Sequence, residues 1–190
     1  MTESAQDPES KALLRRSLSA ARSALTAEIR EEEASALVNW VGRIDASVVC
    51  CYLPVGTEPG SVAMVDAIRA RVLLPVVTGA APLDWAEYAG EDSLVPGPHG
   101  LREPAGHRLG PAAIGLADVL LIPALAVDRR GVRLGRGAGH YDRSLPKARA
   151  EAALIAVVRD DELLDHLPDE PHDVRMTATL TPRLGIRRVG

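Results

Sequence analysis

Two β-prone apolar runs, Ser47–Tyr52 and Val72–Val77, flank a segment with helical apolar spacing, Ser61–Ala70, and this alternation leaves few folds open to the chain. Strand, helix and strand in close succession read as a βαβ unit, which places its two strands parallel in one sheet. The runs are continuously apolar rather than alternating, the composition of strands buried on both faces. Similar runs at Asp118–Pro123, Ala153–Val158 and Met176–Thr181 extend the sheet, with short helices expected at Tyr141–Ala150 and Asp160–Leu164. Between Gly79 and Pro111 the chain is rich in Gly and Pro, with a short strand expected within Leu83–Tyr88. The expected architecture is α/β: a three-layer α/β/α sandwich on a mostly parallel central sheet, with ligands at the C-terminal ends of the strands.

Ahead of the sheet, Ser10–Arg43 reads as two consecutive helices, with Leu14, Leu18, Ala21 and Leu25 at helical spacing and a break at Ser23–Thr26. Glu28 and Glu31–Glu33 suit the start of the second helix, where the dipole favours carboxylates. Residues 1–10 are polar and expected to be flexible, and they lack the apolar core of a secretory signal. At 190 residues the chain is expected to form one domain, 1–190. A net charge of −4 without a concentrated basic tract argues against nucleic-acid binding. The longest apolar stretch, Val119–Val127, is interrupted by Pro123 and too short to cross a bilayer. Cys50 and Cys51, being adjacent, suit neither an ordinary disulfide nor a spaced metal cluster and read as small buried side chains on a strand. A cytoplasmic, monomeric protein is the expectation.

The segment with the most chemical content is Asp128-Arg-Arg-Gly-Val-Arg-Leu-Gly-Arg-Gly-Ala-Gly-His-Tyr-Asp-Arg143. Glycines alternate at Gly135, Gly137 and Gly139, and such a run lets backbone N–H groups converge on an anion. Arg133, Arg136 and Arg143 add guanidinium forks that match phosphate oxygens. The run is neither a Walker A loop, lacking Gly-Lys-Ser/Thr, nor a dinucleotide fingerprint, since His140 occupies the last glycine's place. Asp142 reads equally as a Mg²⁺ ligand working with phosphate oxygens or as an acidic residue at a helix start.

The wording of 133–143, Arg-Leu-Gly-Arg-Gly-Ala-Gly-His-Tyr-Asp-Arg, resembles the signature of 5-formyltetrahydrofolate cyclo-ligases, and the likeness extends over nearly the whole chain. Lys11-Ala-Leu-Leu-Arg15 resembles the family's opening helix, Tyr52-Leu-Pro-Val-Gly-Thr-Glu-Pro59 its strand-end loop, Leu101-Arg-Glu-Pro104 a segment ending in Glu-Pro, and Pro168–Asp173 its late acidic loop. The resemblance implies the NagB/RpiA/CoA transferase-like fold and ATP-dependent closure of 5-formyltetrahydrofolate to 5,10-methenyltetrahydrofolate, with ADP and phosphate as the other products. It implies ATP contacts from Lys11, Arg15, Arg133, Leu134, Gly135, Arg136, Gly137, Ala138, Gly139, His140 and Tyr141. Folate contacts are implied for Glu58, Gly137, His140 and Tyr141, catalytic roles for Arg136, Tyr141 and Asp142, and Mg²⁺ ligation for Asp142 and, more weakly, Asp173. Three residues depart from the family wording: Ala138 stands where some relatives carry Lys, His140 where Tyr is commoner, and His99 where an aromatic often precedes Gly-Leu-Arg-Glu-Pro. Pterin stacking is therefore expected from Tyr141, helped by Trp85. Two other readings stay open on sequence: an enzyme of the same fold acting on sugar phosphates or CoA esters, and a non-catalytic folate- or nucleotide-binding protein.

Overall fold

The computed structural model describes residues 8–171 and 173–190; the side chains of Pro8 and His99 and all of His172 lie outside that description. Helices α1 (Pro8–Ser23) and α2 (Ala27–Val41) are separated at the expected break. Thr26 caps α2, its hydroxyl accepting the Ile29 N–H at 3.4 Å and so satisfying one free donor of the first turn. Of the leader expected to be flexible, residues 1–7 lie outside the described residues, whereas Pro8–Ser10 already belong to α1.

The elements that follow are β1 (Val48–Cys50), α3 (Val62–Asp66), β2 (Arg71–Val76), β3 (Asp84–Glu87), β4 (Leu94–Pro96), β5 (Arg102–Pro104), β6 (Val119–Pro123), β7 (Ala126–Asp128), β8 (Arg133–Leu134), α4 (His140–Ser144), β9 (Ala153–Val157), β10 (Leu163–Leu164), β11 (Ala178–Thr181) and β12 (Gly185–Arg188). The central sheet has the order β12-β11-β9-β6-β1-β2-β3. Pairings from β2 through β11 are parallel and only the two edge strands, β3 and β12, run antiparallel. β12 was not expected: its Arg187 and Arg188 give an exposed edge strand no apolar run to read.

One face of the sheet is covered by α2 and α3, which bury Leu37, Val41, Met64 and Val65 against Leu74, Leu121 and Leu180. On the other face the third layer consists mainly of 3₁₀ segments, Pro111–Leu116 and Leu145–Lys147, whose Ile114 and Leu145 pack on Leu73, Leu120 and Trp85. The helix expected over Tyr141–Ala150 is accordingly short: α4 ends at Ser144 because Pro146 allows only a tight turn beyond it. Trp85, expected beside the pterin, is instead a core residue at 1% exposure. Cys50 and Cys51 are buried and unpaired, and burial pushes the Cys51 thiol up to about 12, which keeps it an inert apolar filler.

A second sheet of order β10-β7-β8 grows from the end of β6, and α1 docks on it through Leu14 and Leu18, packed against Leu125, Val132, Leu134 and Leu167. The helix expected over Asp160–Leu164 is a 3₁₀ turn, Asp160–Glu162, followed by β10, which pairs parallel to β7. Among the described residues no helix is long and apolar enough to cross a membrane.

The β7–β8 turn is held by Asp128, fully buried, whose carboxylate accepts the N–H groups of Arg130 and Val132 at 2.9 Å and of Leu167 at 3.0 Å. Gly131 completes the turn at φ +82°, and a Cβ there would stand 2.3 Å from the Met176 carbonyl oxygen. Gly131→Ala therefore combines left-handed strain with a backbone overlap and should destabilise the fold by roughly 2–3 kcal/mol or more. The expected observation is a lower urea midpoint with an unchanged m value.

Candidate ligand site

In a parallel sheet, connections leaving two adjacent strands in opposite directions open a crevice at their C-terminal ends. Here the chain passes from β1 to β2 on one side and from β6 to β9 on the other, so the crevice falls between β1 and β6. A cavity of about 310 Å³ occupies that position. Its walls include Tyr52 and Glu58 from the loop after β1, Pro123 and Ala124 from the end of β6, Lys11, Arg15 and Arg22 from α1, and the bend from Arg133 to Asp142. Glu103 and Asp173 also reach it, so the residues expected to hold ATP, folate and metal meet in one space, whereas Trp85 and Arg143 do not line it.

The glycine bend is shaped by α1. Arg15 Nε donates to the Gly135 carbonyl at 2.9 Å, and its guanidinium lies 3.8 Å from where a Cβ on Gly137 would stand. Gly139 adopts the left-handed conformation, φ +70°, immediately before α4, and a Cβ there would meet Arg143 Nη1 at 2.5 Å. Arg143 folds back to donate to the Ala138 carbonyl at 2.9 Å and stands 3.3 Å from His140 Nδ1. Ala138 and His140 thus contribute to the shape of the bend through Arg143. α4 is only five residues long, so its dipole adds little at the bend.

Opposite charges pair across the cavity. Arg133 Nη2 is bonded to Asp142 Oδ1, Arg136 Nη1 lies 3.4 Å from Glu58 Oε1, and Lys11 Nζ lies 3.8 Å from Asp173 Oδ2 and 3.5 Å from Glu170 Oε1. Burial raises the Glu58 carboxyl above the usual carboxylate range, partly offset by Arg136 and by the Val55 N–H that it accepts at 3.0 Å. Tyr52 and Tyr141 are held protonated, both chiefly by burial. Tyr52 donates to the Pro59 carbonyl at 2.5 Å, which fixes the Glu58 loop.

The Tyr141 hydroxyl and the Arg133 Nε, in contrast, are buried with no hydrogen-bond partner. Such groups are rare in native interiors because each costs about 1–3 kcal/mol, and both of these residues line the cavity. Sequence reasoning missed Arg22 and Glu103 as cavity residues. Arg22 stands one turn after Leu18, within the span of the expected helix stripe, and Glu103 lies in the noted Leu101–Pro104 segment, where it accepts the Val77 N–H at 2.9 Å.

Comparison with known proteins places this geometry. The profile of the 5-formyltetrahydrofolate cyclo-ligase family matches residues 7–182. A 5-formyltetrahydrofolate cyclo-ligase of Mycolicibacterium smegmatis is 52% identical over 189 residues, covering 94% of this chain and 97% of that one. The chain belongs to the 5-formyltetrahydrofolate cyclo-ligase family. A cyclo-ligase of this family from Escherichia coli K12 is 29% identical over 171 residues, covering 85% of this chain and 94% of that one. The solved structure of a 5,10-methenyltetrahydrofolate synthetase from Aquifex aeolicus superposes with a TM-score of 0.80 over 94% of this chain and 92% of that one, at 24% identity, and so shares the fold.

An unpartnered hydroxyl predicts an unusual sign for a substitution in the wall of a cyclo-ligase cavity. Tyr141→Phe should leave the ligand-free protein as stable as wild type or more stable by about 1 kcal/mol, because it removes an unsatisfied group and few packing atoms. Thermal melts of both proteins without ligand check this, and a loss of stability would show that the hydroxyl has a partner.

Proposed function

We propose that this protein is an ATP- and Mg²⁺-dependent enzyme that cyclises 5-formyltetrahydrofolate to 5,10-methenyltetrahydrofolate. Family membership supports the substrate, and one observation supports the chemistry: the arginine-flanked glycine bend, Lys11 and Arg15 face Glu58 across a single cavity. Phosphate donors and a carboxylate acceptor within one space suit a reaction that brings a triphosphate and a pterin together.

A formamide oxygen is a poor leaving group, so the barrier falls if it is first phosphorylated. In the proposed sequence the formyl oxygen attacks the γ-phosphorus and the bond to ADP breaks. N10 then attacks the iminium-like carbon and loses its proton to solvent, and the C–O bond breaks to release phosphate. Phosphoryl transfer of this kind asks the protein for positioning and charge stabilisation rather than a nucleophile. Lys11, Arg15, Arg133 and Arg136 hold the phosphate chain, with the amides of the bend beneath it. The ionised Glu58 accepts pterin N–H groups, and the Tyr141 ring offers a stacking surface.

The residues fit a magnesium ion. Asp142, about half exposed, and Asp173 both line the cavity, and Mg²⁺ is commonly held by one or two carboxylates completed by phosphate oxygens and water. Among the described residues no group of three or more His, Cys, Asp or Glu gathers as an all-protein metal cage. Bound there, the ion would neutralise charge on the phosphate oxygens.

The direct test mixes protein, Mg-ATP and 5-formyltetrahydrofolate and follows methenyl absorbance in the near ultraviolet. ATP-dependent growth of the signal is expected, and binding of both ligands without growth would overturn the proposal. Asp142→Ala should lower turnover roughly hundredfold; because it also strips the nearly buried Arg133 of its carboxylate partner, the ligand-free variant should melt below wild type, and turnover is compared at a temperature where both proteins are folded.

Glu58 predicts a pH dependence. Its ionised form accepts pterin N–H groups at both oxygens, whereas protonation turns one of them into a donor, and its carboxyl keeps its proton above the ordinary carboxylate range. Substrate affinity should therefore rise as pH climbs through that elevated value and then level off. Equilibrium dialysis of labelled substrate should show this rise in wild type and a flat profile in Glu58→Gln.

A further inference from the structure

Helix α1 carries Lys11 and Arg15 to the cavity, yet among its described residues a single side chain is fully buried, and it is Arg22, at 2% exposure. Leu14 and Leu18 are only half-buried and Leu13 is exposed. A surface helix is ordinarily held by an apolar stripe. The last turn of α1 is held instead by a guanidinium in the interior. Arg22 Nε and Nη2 donate to the two carboxylate oxygens of Glu162 at 2.6 and 2.7 Å, and Nη2 also donates to the Ala124 carbonyl at 2.6 Å. A two-pronged fork fixes the direction of both partners in a way that a point charge does not. Ala124 follows β6 and Glu162 follows β9, so the fork ties α1 to the strand ends beneath the cavity.

Glu162 serves a second arginine. Its Oε2 accepts the Arg159 N–H at 2.7 Å, and Arg159 Nη1 lies 3.8 Å from its Oε1. Arg159, also buried, donates Nε to Glu33 of α2 at 2.7 Å and Nη1 to the Thr57 carbonyl at 3.0 Å, one residue before Glu58. The chain of contacts from Arg22 through Glu162 and Arg159 to Thr57 therefore starts on the helix bearing Lys11 and Arg15 and ends on the loop bearing Glu58.

We infer that Arg22 is a positioning residue: through Glu162 and Arg159 it sets α1 and the Glu58 loop relative to each other, so that one buried device places both the phosphate-facing cations and the substrate-facing carboxylate. Its kinetic consequences rest on the function proposed above; the mechanical link does not. An ion pair that only stabilised the fold would change the fraction of folded molecules and leave unaltered what each folded molecule binds.

Arg22→Lys keeps the charge but cannot form the fork. In the ligand-free protein, hydrogen exchange should quicken in both α1 and residues 54–60, with the amides of β6 and β9 unchanged. In steady-state assays KM for Mg-ATP and for 5-formyltetrahydrofolate should each rise about tenfold, with kcat at saturation altered less than about twofold. Placed on Arg15→Ala, Arg22→Lys should add less to the rise in KM for Mg-ATP than it adds to wild type, because one of the two α1 cations it positions is already gone. The inference is overturned by unchanged exchange at 54–60, by a fall in kcat at constant KM, or by additive effects in the double variant. Should Arg22→Lys fail to fold, Glu162→Gln, which keeps the shape of the acceptor, is read by the same criteria. Absence of turnover in wild type would sink the proposed reaction, while the exchange measurement would still decide the link.

Discussion

Adjacent strands β1 and β6 send their chains to opposite halves of the sheet, and the remaining features of the site follow from the gap this leaves at their C-terminal ends. Backbone carbonyls and side chains there have no crossover packed above them, so any loop that reaches the gap can line it. The chain brings in five such segments: the turn after β1 with Glu58, the extension of β6 into the small sheet and glycine bend, the Glu103 segment from the excursion after β3, the late segment with Asp173, and α1. None of them forms a cavity by itself. Their convergence explains why residues separated by more than a hundred positions, such as Arg15 and Gly135, are in hydrogen-bond contact.

Electrostatics dictates how those segments coexist without a ligand. Lys11 faces Asp173, Arg133 holds Asp142, and Arg136 rests on Glu58, so three of the four cations assigned to phosphate in the proposed chemistry are matched by a carboxylate, while Arg15 bonds to the Gly135 carbonyl. Charges partly withdrawn from water are costly unless paired, and this pairing keeps the empty cavity tolerable. In the proposed reaction, phosphate and Mg²⁺ exchange partners with these pairs rather than meeting bare charges. The exchange lets a cavity tuned for a highly charged ligand exist in a marginally stable fold.

Much of this was legible in the sequence because it rests on local chemistry. The βαβ unit, the break between α1 and α2, and the glycine bend are written in short runs whose spacing or residue type has a direct conformational meaning. The misreadings have physical causes too. β12 is an exposed edge strand with arginines and carries no apolar signature, while α4 is cut short by Pro146 although Tyr141–Ala150 has helical composition. Trp85 was drawn toward the ligand because His99 and His140 stand where the family wording has aromatics, whereas in the fold its ring volume fills the core instead. Arg22 and Glu162, 140 positions apart, are invisible as a pair to any reading of spacing.

Stability alone does not account for the polar interior. Buried ion pairs are on average no better than well-packed apolar substitutes, yet this protein keeps Arg22, Glu162, Arg159 and Asp128 inside, each bonded to a loop or helix that borders the cavity. Asp128 illustrates the selectivity of the arrangement. Burial opposes its ionisation, but the N–H groups of Leu167 and Val132 and the Arg130 guanidinium hold its carboxyl below the usual carboxylate range. Arg130 continues from Asp128 to the Leu167 carbonyl and Asp169, and Arg175 bonds to Asp169 from the far side, which pins the segment that carries Asp173 toward Lys11. An apolar core can fill the same volume, but it lets a loop slide along its surface. A guanidinium fork between two carboxylate oxygens fixes direction as well as distance, and direction is what a site assembled from five separate segments requires.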